Sequence, residues 1–275
     1  IELTISSKNM RTKDFSWNTD FIFSKTKNEI TDLKSHANVL SLISGNGFGR
    51  EGYPVRGRFS IPFAGLTEDG LPTFINQDGQ KTISSFNFQE YEKLDFLKYE
   101  GPTDPTITGS FGNILTYKNL KLNVFVTYSF GNVIRLDPVF SNAYSDLDAM
   151  PKEFKNRWMK AGDENVTNIP TIVSTRMNQQ YAYLNMAYNA YNYSDVRIAD
   201  GGFIRLKEIS LSYDLPAKVI NFFRLNKLQL KLQATNLGLR YADSKLNGQD
   251  PEFFRSGGVS TPVPKQFTFT VRLGL

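Results

Sequence analysis

The sequence predicts an all-β chain, seven or so antiparallel strands of a transmembrane β-barrel, and three observations carry that expectation. Several stretches alternate apolar and polar residues strictly, so each presents one apolar and one polar wall. The connections between those stretches are short and long in strict turn. No stretch reaches the roughly 18 continuous apolar residues of a membrane helix, whereas barrel strands are short and leave average hydropathy mildly polar.

The clearest strand is the run KQFTFTVRLGL, where Phe267, Phe269, Val271, Leu273 and Leu275 share one parity and Gln266, Thr268, Thr270, Arg272 and Gly274 the other. At the other end Ile1, Leu3 and Ile5 alternate with Glu2, Thr4 and Ser6. The chain therefore begins inside a strand, which suggests a fragment. A short connection holding Lys8 and Asn9 leads to a second strand, with Phe15, Trp17, Phe21 and Phe23 against Asp14, Ser16, Asn18 and Asp20. Residues 25–108 lose the alternation and are rich in Gly, Pro, Asn and Asp; within them ANVLSLI reads as a short helix and YPVRGRFSIPF as a short hairpin arm. A weakly patterned strand at 109–117, a tight turn at Lys118 and Asn119, and a strongly alternating strand from Leu120 to Phe130 follow.

Residues 132–201 form a second long connection with a short helix in PKEFKNRWMKAG and a dense tyrosine tract, YAYLNMAYNAYNY. In the strand 202–214, Ile209, Leu211 and Tyr213 keep phase while Arg205 and Lys207 break it, as at a bulge. Pro216 opens a helical turn or two; Leu228, Leu230, Leu232 and Ala234 mark the next strand, and residues 239–264 connect it to the last. In an up-and-down sheet alternate connections fall on opposite rims, so all the short ones share one rim and all the long ones the other. A soluble sandwich or jelly roll has no physical reason to sort its loops so, and the barrel is favoured over both. Seven strands would leave two unpaired edges in lipid, so the rest of a barrel has to close the sheet. Lys121, Asn123, Lys227, Gln229, Lys231, Gln233 and Arg272 would then line a wide lumen.

Composition narrows the function. The 275 residues are enough for a large core, and they include no cysteine, which excludes disulfides and thiolate metal sites. The net charge of +5 is spread along the chain without the clustering that a nucleic-acid surface needs. IELTISSKNM lacks the basic start and apolar middle of a signal peptide.

The segment GGFIRLKEISLSYDLP, followed by KLQLKLQATNL, GQDPE and the terminal strand, resembles the C-terminal end of the SusC/RagA family of TonB-dependent outer-membrane transporters. KDFSWNTDFIFSKTKNEI, REGYPVRGRFSIPFAGLTEDGLPTF, DPTITGSFGNILTYKNLKLNVFVTYSFGN, and the RW and AGDENVTNIP pieces around 157–170 agree in order, over nearly the whole chain. The resemblance implies a barrel of about 22 strands around an N-terminal plug, energised through the TonB complex, in the outer membrane of a Gram-negative bacterium. It implies a SusD-like surface lipoprotein as partner, an oligosaccharide or peptide as substrate, and long connections 25–108, 132–201 and 239–264 that are extracellular. The plug and coupling segment would lie outside this sequence. One departure is the final residue, Leu275, where such barrels commonly finish on an aromatic.

No catalytic, cofactor or metal site is expected. His36 is the only histidine, too little for a triad or a histidine metal site. The glycine-rich SGNGFGR lacks the GK[ST] ending of a phosphate loop. Asp146 with Asp148, or Asp243 with Asp250, could hold calcium, but the spacing is not that of a dedicated calcium loop. The tyrosine tract is the strongest functional feature: Tyr181, Tyr183, Tyr188, Tyr191 and Tyr193 stand among asparagines and glutamines, a mixture of flat apolar faces and amides that suits sugars, peptides and protein partners alike. Loop packing and an interfacial aromatic belt are the alternatives. Arg157 and Trp158 divide similarly between a partner hot spot and loop packing. A non-transporting surface barrel whose loops bind partner proteins, as an adhesin or structural element, is the second functional class; a membrane hydrolase is disfavoured by the single histidine.

Overall fold

Strict alternation folds here as expected, into one antiparallel sheet. The computed structural model describes residues 1–45, 49–145, 147–222, 225–254 and 263–274. Its wall is seven strands in sequence order: β1 (Glu2–Arg11), β2 (Phe15–Lys25), β3 (Ile107–Tyr117), β4 (Leu120–Phe130), β5 (Phe203–Asp214), β6 (Lys227–Ala242) and β7 (Gln266–Gly274).

The register aligns the faces across strands. Met10, Trp17, Leu115, Leu122, Leu211, Leu232 and Phe269 pair laterally into one apolar row that crosses all seven strands. One residue along, Arg11, Ser16, Thr116, Lys121, Ser212, Lys231 and Thr270 form an equally complete polar row. The apolar side meets no second layer: Met10, Trp17, Leu211, Leu232 and Phe269 are between 38% and 62% exposed, and Phe267 is 78% exposed. The polar side holds a cleft of about 280 Å³ lined by Lys121, Asn123, Glu208, Gln229, Lys231 and Arg272. A dry sandwich interior would bury the first set.

Several boundaries differ from expectation. Lys8 and Asn9 are not a connection: β1 runs on to Arg11, and the lost phase is a bulge between Lys8 and Met10, so the turn lies at 12–14. The expected bulge in β5 falls between Leu206 and Glu208. β6 continues to Ala242, past the expected break at 239, because Asn236 and Gly238 take positive φ of 54° and 116° and shift the pairing without ending it. The weak pattern of β3 also has a cause. A Cβ on Gly109 would stand 2.4 Å from the Tyr128 hydroxyl, which crosses the glycine to donate to the Ile22 carbonyl at 2.9 Å.

The residues 12–14, 118–119 and 215–226 join strands at one rim, the last through helix α4 (Ala217–Phe222) after Pro216. At the other rim lie the described residues of 26–106, 131–202 and 243–265, and the first two stretches fold together. Residues 26–106 carry α1 (Val39–Ser44), begun by a capping box between Asn38 and Ser41, and the short strands Gly57–Ser60, Phe63–Leu66, Pro72–Ile75, Lys81–Thr82 and Lys98–Pro102. Gly57–Ser60 pairs with Lys98–Pro102 and not with a sequence neighbour, so the expected hairpin arm at 53–63 does not form. Residues 131–202 carry α2 (Thr175–Gln180), α3 (Leu184–Asn192) and the strands Val133–Arg135 and Ile198–Asp200. The helix expected in PKEFKNRWMKAG is one 3-10 turn, Lys152–Asn156, after which Arg157 is extended. Val39, Leu42, Ile43, Phe59, Ile61, Leu71 and Phe74 of the first connection share one core with Phe140, Leu184, Ala187, Tyr188 and Tyr191 of the second.

Candidate functional site

The tyrosine tract was the sequence's strongest signal, and the fold divides it. α3 turns its Tyr188 and Tyr191 face into the shared core, where they are 1% and 2% exposed. The Tyr188 hydroxyl donates to the Thr171 carbonyl, and the Tyr191 ring meets Phe63 and Phe140 edge-on at centroid distances of 5.8 and 5.0 Å. Burial pushes both phenols far above their ordinary value. Neither can touch a ligand from there, so for these two the packing alternative holds. Tyr193 is half-buried beneath the Arg135 guanidinium, 5.3 Å from its ring, and its carbonyl accepts from Ile61.

Arg157 and Trp158 also serve local packing. The Arg157 guanidinium lies 4.9 Å from the Phe154 ring centroid. Trp158 donates through Nε1 to Glu164 at 3.1 Å and covers Gly70, whose φ of +75° and whose lack of a Cβ admit the indole. His36 is exposed. Asp243 caps the turn Ser244–Leu246 and Asp250 pairs with Arg205. Asp146, Leu275 and residues 46–48 of SGNGFGR lie outside the described residues.

Tyr181 and Tyr183 remain, and they line a groove of about 830 Å³ between the two connections. Its first wall is Thr73, Gln77 and residues 81–87; its second is residues 180–183 with Met186. The Tyr181 hydroxyl donates to Asp69 at 3.0 Å, tying the second wall to the first, and that hydrogen bond raises its pKa. The Ser84 hydroxyl donates to the Ala182 carbonyl at 3.1 Å across the same seam. Tyr183 is 71% exposed and opens α3 from a left-handed conformation, φ 61°, with no side-chain cap.

The sequence reading missed what holds this assembly together. Arg58, Arg135, Arg197 and Arg205 are between 2% and 6% exposed. Arg58 donates to the Ser44 carbonyl at 3.1 Å, and Arg135 crosses between connections to the Phe59 carbonyl at 2.5 Å and Ser60 Oγ at 2.9 Å. Arg197 pairs with Glu153 and donates to the Asp137 carbonyl at 3.3 Å, under the rings of Phe140 and Tyr191. Arg205, on the polar face of β5, holds both oxygens of Asp250 at 2.6 and 2.7 Å and Glu252 at 3.0 Å, so the third connection is pinned to the wall. A guanidinium this deep is tolerated only when paired. The available signal was flanking: VIRL, DVRIA and FIRL each set an arginine between apolar residues.

A second polar junction joins residues 57–102 to the second connection. Asp195 accepts from the Phe63 amide at 3.1 Å and from Lys98 at 3.2 Å, beside Glu100. Burial pushes the Glu100 carboxyl above its ordinary range, against the pull of the Lys98 ammonium.

No protein-family model matches the chain. Two proteins of Formosa agariphila named TonB-dependent receptor P3 and TonB-dependent receptor P39 are 25% and 24% identical to it, over 91% and 95% of its length. The chain spans only 24% and 28% of those relatives. Among solved structures, the RagAB peptide transporter superposes on 99% of the chain with a TM-score of 0.69 at 22% identity, the match taking up 28% of that protein. The RagAB peptide importer in its 'open-open' state gives the same score at 21% identity over 100% of the chain. The chain has the fold of one part of such a barrel, and the named relatives support the SusC/RagA-type reading.

Proposed function

We propose that this chain, as part of a SusC/RagA-type TonB-dependent receptor, completes the wall of an outer-membrane transporter and supplies much of its outer face. One observation carries the reading: a fully apolar row and a fully polar row, one residue apart, each crossing all seven strands. That is the surface of a sheet with lipid on one side and a wet lumen on the other. The remainder of the barrel and its plug would close the sheet's two edges, and the TonB complex would act through that remainder.

The substrate we propose is a peptide. The support is the likeness to structures named as a peptide transporter and a peptide importer. In this reading the connections 26–106, 131–202 and 243–265 face the cell exterior, the groove beside Tyr183 faces incoming peptide, and a SusD-like lipoprotein covers the outer rim. Chain and partner bind and pass a nutrient without chemistry of their own.

The test is uptake of a labelled peptide mixture by cells carrying the full-length protein and its lipoprotein partner. Uptake is expected to vanish on deletion of TonB. Uptake undiminished without TonB, or a full-length protein that stays in the soluble fraction, would refute the proposal.

A further inference from the structure

We propose that the groove between residues 73–87 and 180–186 takes its peptide in extended form, as an added strand along the open edge of Lys81–Thr82, with Tyr183 as the opposite wall. This rests on the transporter reading above and names the recognition mode. Lys81–Thr82 is the outermost strand of the small sheet it forms with Phe63–Leu66 and Pro72–Ile75, so one of its edges has no neighbouring strand among the described residues. Lys81 and Thr82, consecutive in that strand, both line the groove although successive strand side chains point to opposite faces. A cavity resting on one face would collect alternate residues only. This one therefore runs along the strand edge, the side on which an incoming chain would pair.

The remaining lining fits a peptide main chain. Gln77, Asn87 and Gln180 supply amides, and the Gln77 side-chain oxygen is buried with no hydrogen-bond partner among the described residues. A backbone N–H is the donor it lacks, and a buried acceptor without one is unfavourable. Lys81 is the one ionic side chain in the lining, so the groove selects little by charge. The volume of about 830 Å³ lies within the ordinary range for ligand sites.

Tyr183 supplies the second argument. A non-glycine residue held at φ 61° is strained, and the strain is not offset by a capping bond at the start of α3. What the conformation does achieve is placement of an exposed aromatic ring on the groove wall. A flat ring beside an added strand packs against side chains of many kinds. Main-chain pairing with one aromatic wall gives a sequence-tolerant site, as an importer of mixed peptides needs.

The experiment uses the full-length transporter in detergent with a dye-labelled penta-alanine, and the same peptide N-methylated at alternate residues. Methylation removes backbone donors and leaves every side chain in place. Strand addition predicts at least about tenfold weaker binding of the methylated peptide, the loss expected from one or two hydrogen bonds. Tyr183→Gly, which keeps the left-handed backbone, and Gln77→Leu should each weaken the parent peptide several-fold, with unchanged thermal melting. Equal affinity for the two peptides, unchanged affinity in both variants, or equally effective competition by maltohexaose would overturn the inference. TonB-dependent peptide import that continues unaltered in Tyr183→Gly would sink this groove and leave the transporter standing. The expected binding pattern with TonB-independent uptake would sink the transporter and leave the groove.

Discussion

The wall and the module built by its two longest connections solve the same burial problem in opposite ways. Along the wall neither of the two rows that cross all seven strands is enclosed by protein: Phe269 and Leu232 on the apolar side stay exposed, and the polar side opens into a cleft. The module encloses a core of its own, with Ile43, Ile61, Leu71, Phe74 and Ala187 at 0% exposure. The wall's sidedness makes sense only against two different solvents, lipid and water, whereas the module carries a core of the kind a soluble domain has. The lesson is that the packing of the two longest connections does not come from the wall. It comes from a second core, fastened to itself and to the wall by buried arginines.

The largest effect that breaks this contrast is at the fastening. Arg205→Met leaves Asp250 buried without its cation, and removing one partner of such a pair costs about 3–5 kcal/mol. Faster hydrogen exchange is expected through residues 243–254, with the wall strands unaffected, and the double variant Arg205→Met with Asp250→Leu should recover most of the protection. Next comes a charge on the apolar row. Leu232→Arg is expected to destabilise the membrane-inserted barrel by about 2–4 kcal/mol, measured by urea titration in lipid vesicles. Lys231→Leu, one residue away on the polar row, should cost little. Equal penalties at 231 and 232 would remove the distinction between the two faces.

How much of this was legible follows from the same contrast. A period of two survives wherever one face meets lipid and the other water, so the seven wall strands, the turn at Lys118 and Asn119 and the phase break near Lys207 could be read from residues alone. Register could not, because pairing is a property of two distant segments; the lateral rows appear only in three dimensions. The module resisted for a related reason. Its strands are as short as Lys81–Thr82, its core joins Leu42 to Tyr188, and its tyrosines look alike in sequence although Tyr191 is core and Tyr183 is surface. Composition singled out the tract and could not assign the faces of a nine-residue helix that opens from a left-handed residue.

A smaller effect lies inside the module. Tyr188→Phe keeps the ring and removes the donor to the buried Thr171 carbonyl, which is expected to cost about 1–3 kcal/mol, the penalty of an unsatisfied buried group. Thermal melting of the full-length protein followed by near-ultraviolet dichroism would show it. Tyr183→Phe, on the exposed side of the same helix, should leave melting unchanged.

The smallest expected effect sharpens the comparison through pH, at Glu100, a largely buried carboxyl of the module. Burial raises its pKa, opposed by Lys98 and Arg135 and aided by Asp195, the charged groups that face it. The folded state thus holds the proton more tightly than the unfolded chain. Its contribution favours folding most below the ordinary carboxylate range and is lost as pH rises through the elevated folded value. Protection of Gly57–Ser60 and Lys98–Pro102 in hydrogen exchange should therefore decline, after correction for intrinsic rates, as pH is raised from about 4 to 7. Glu100→Gln carries no charge at any pH and should flatten that dependence, with the wall strands as internal control. A slope that persists in Glu100→Gln would refute the assignment of the effect to this carboxyl.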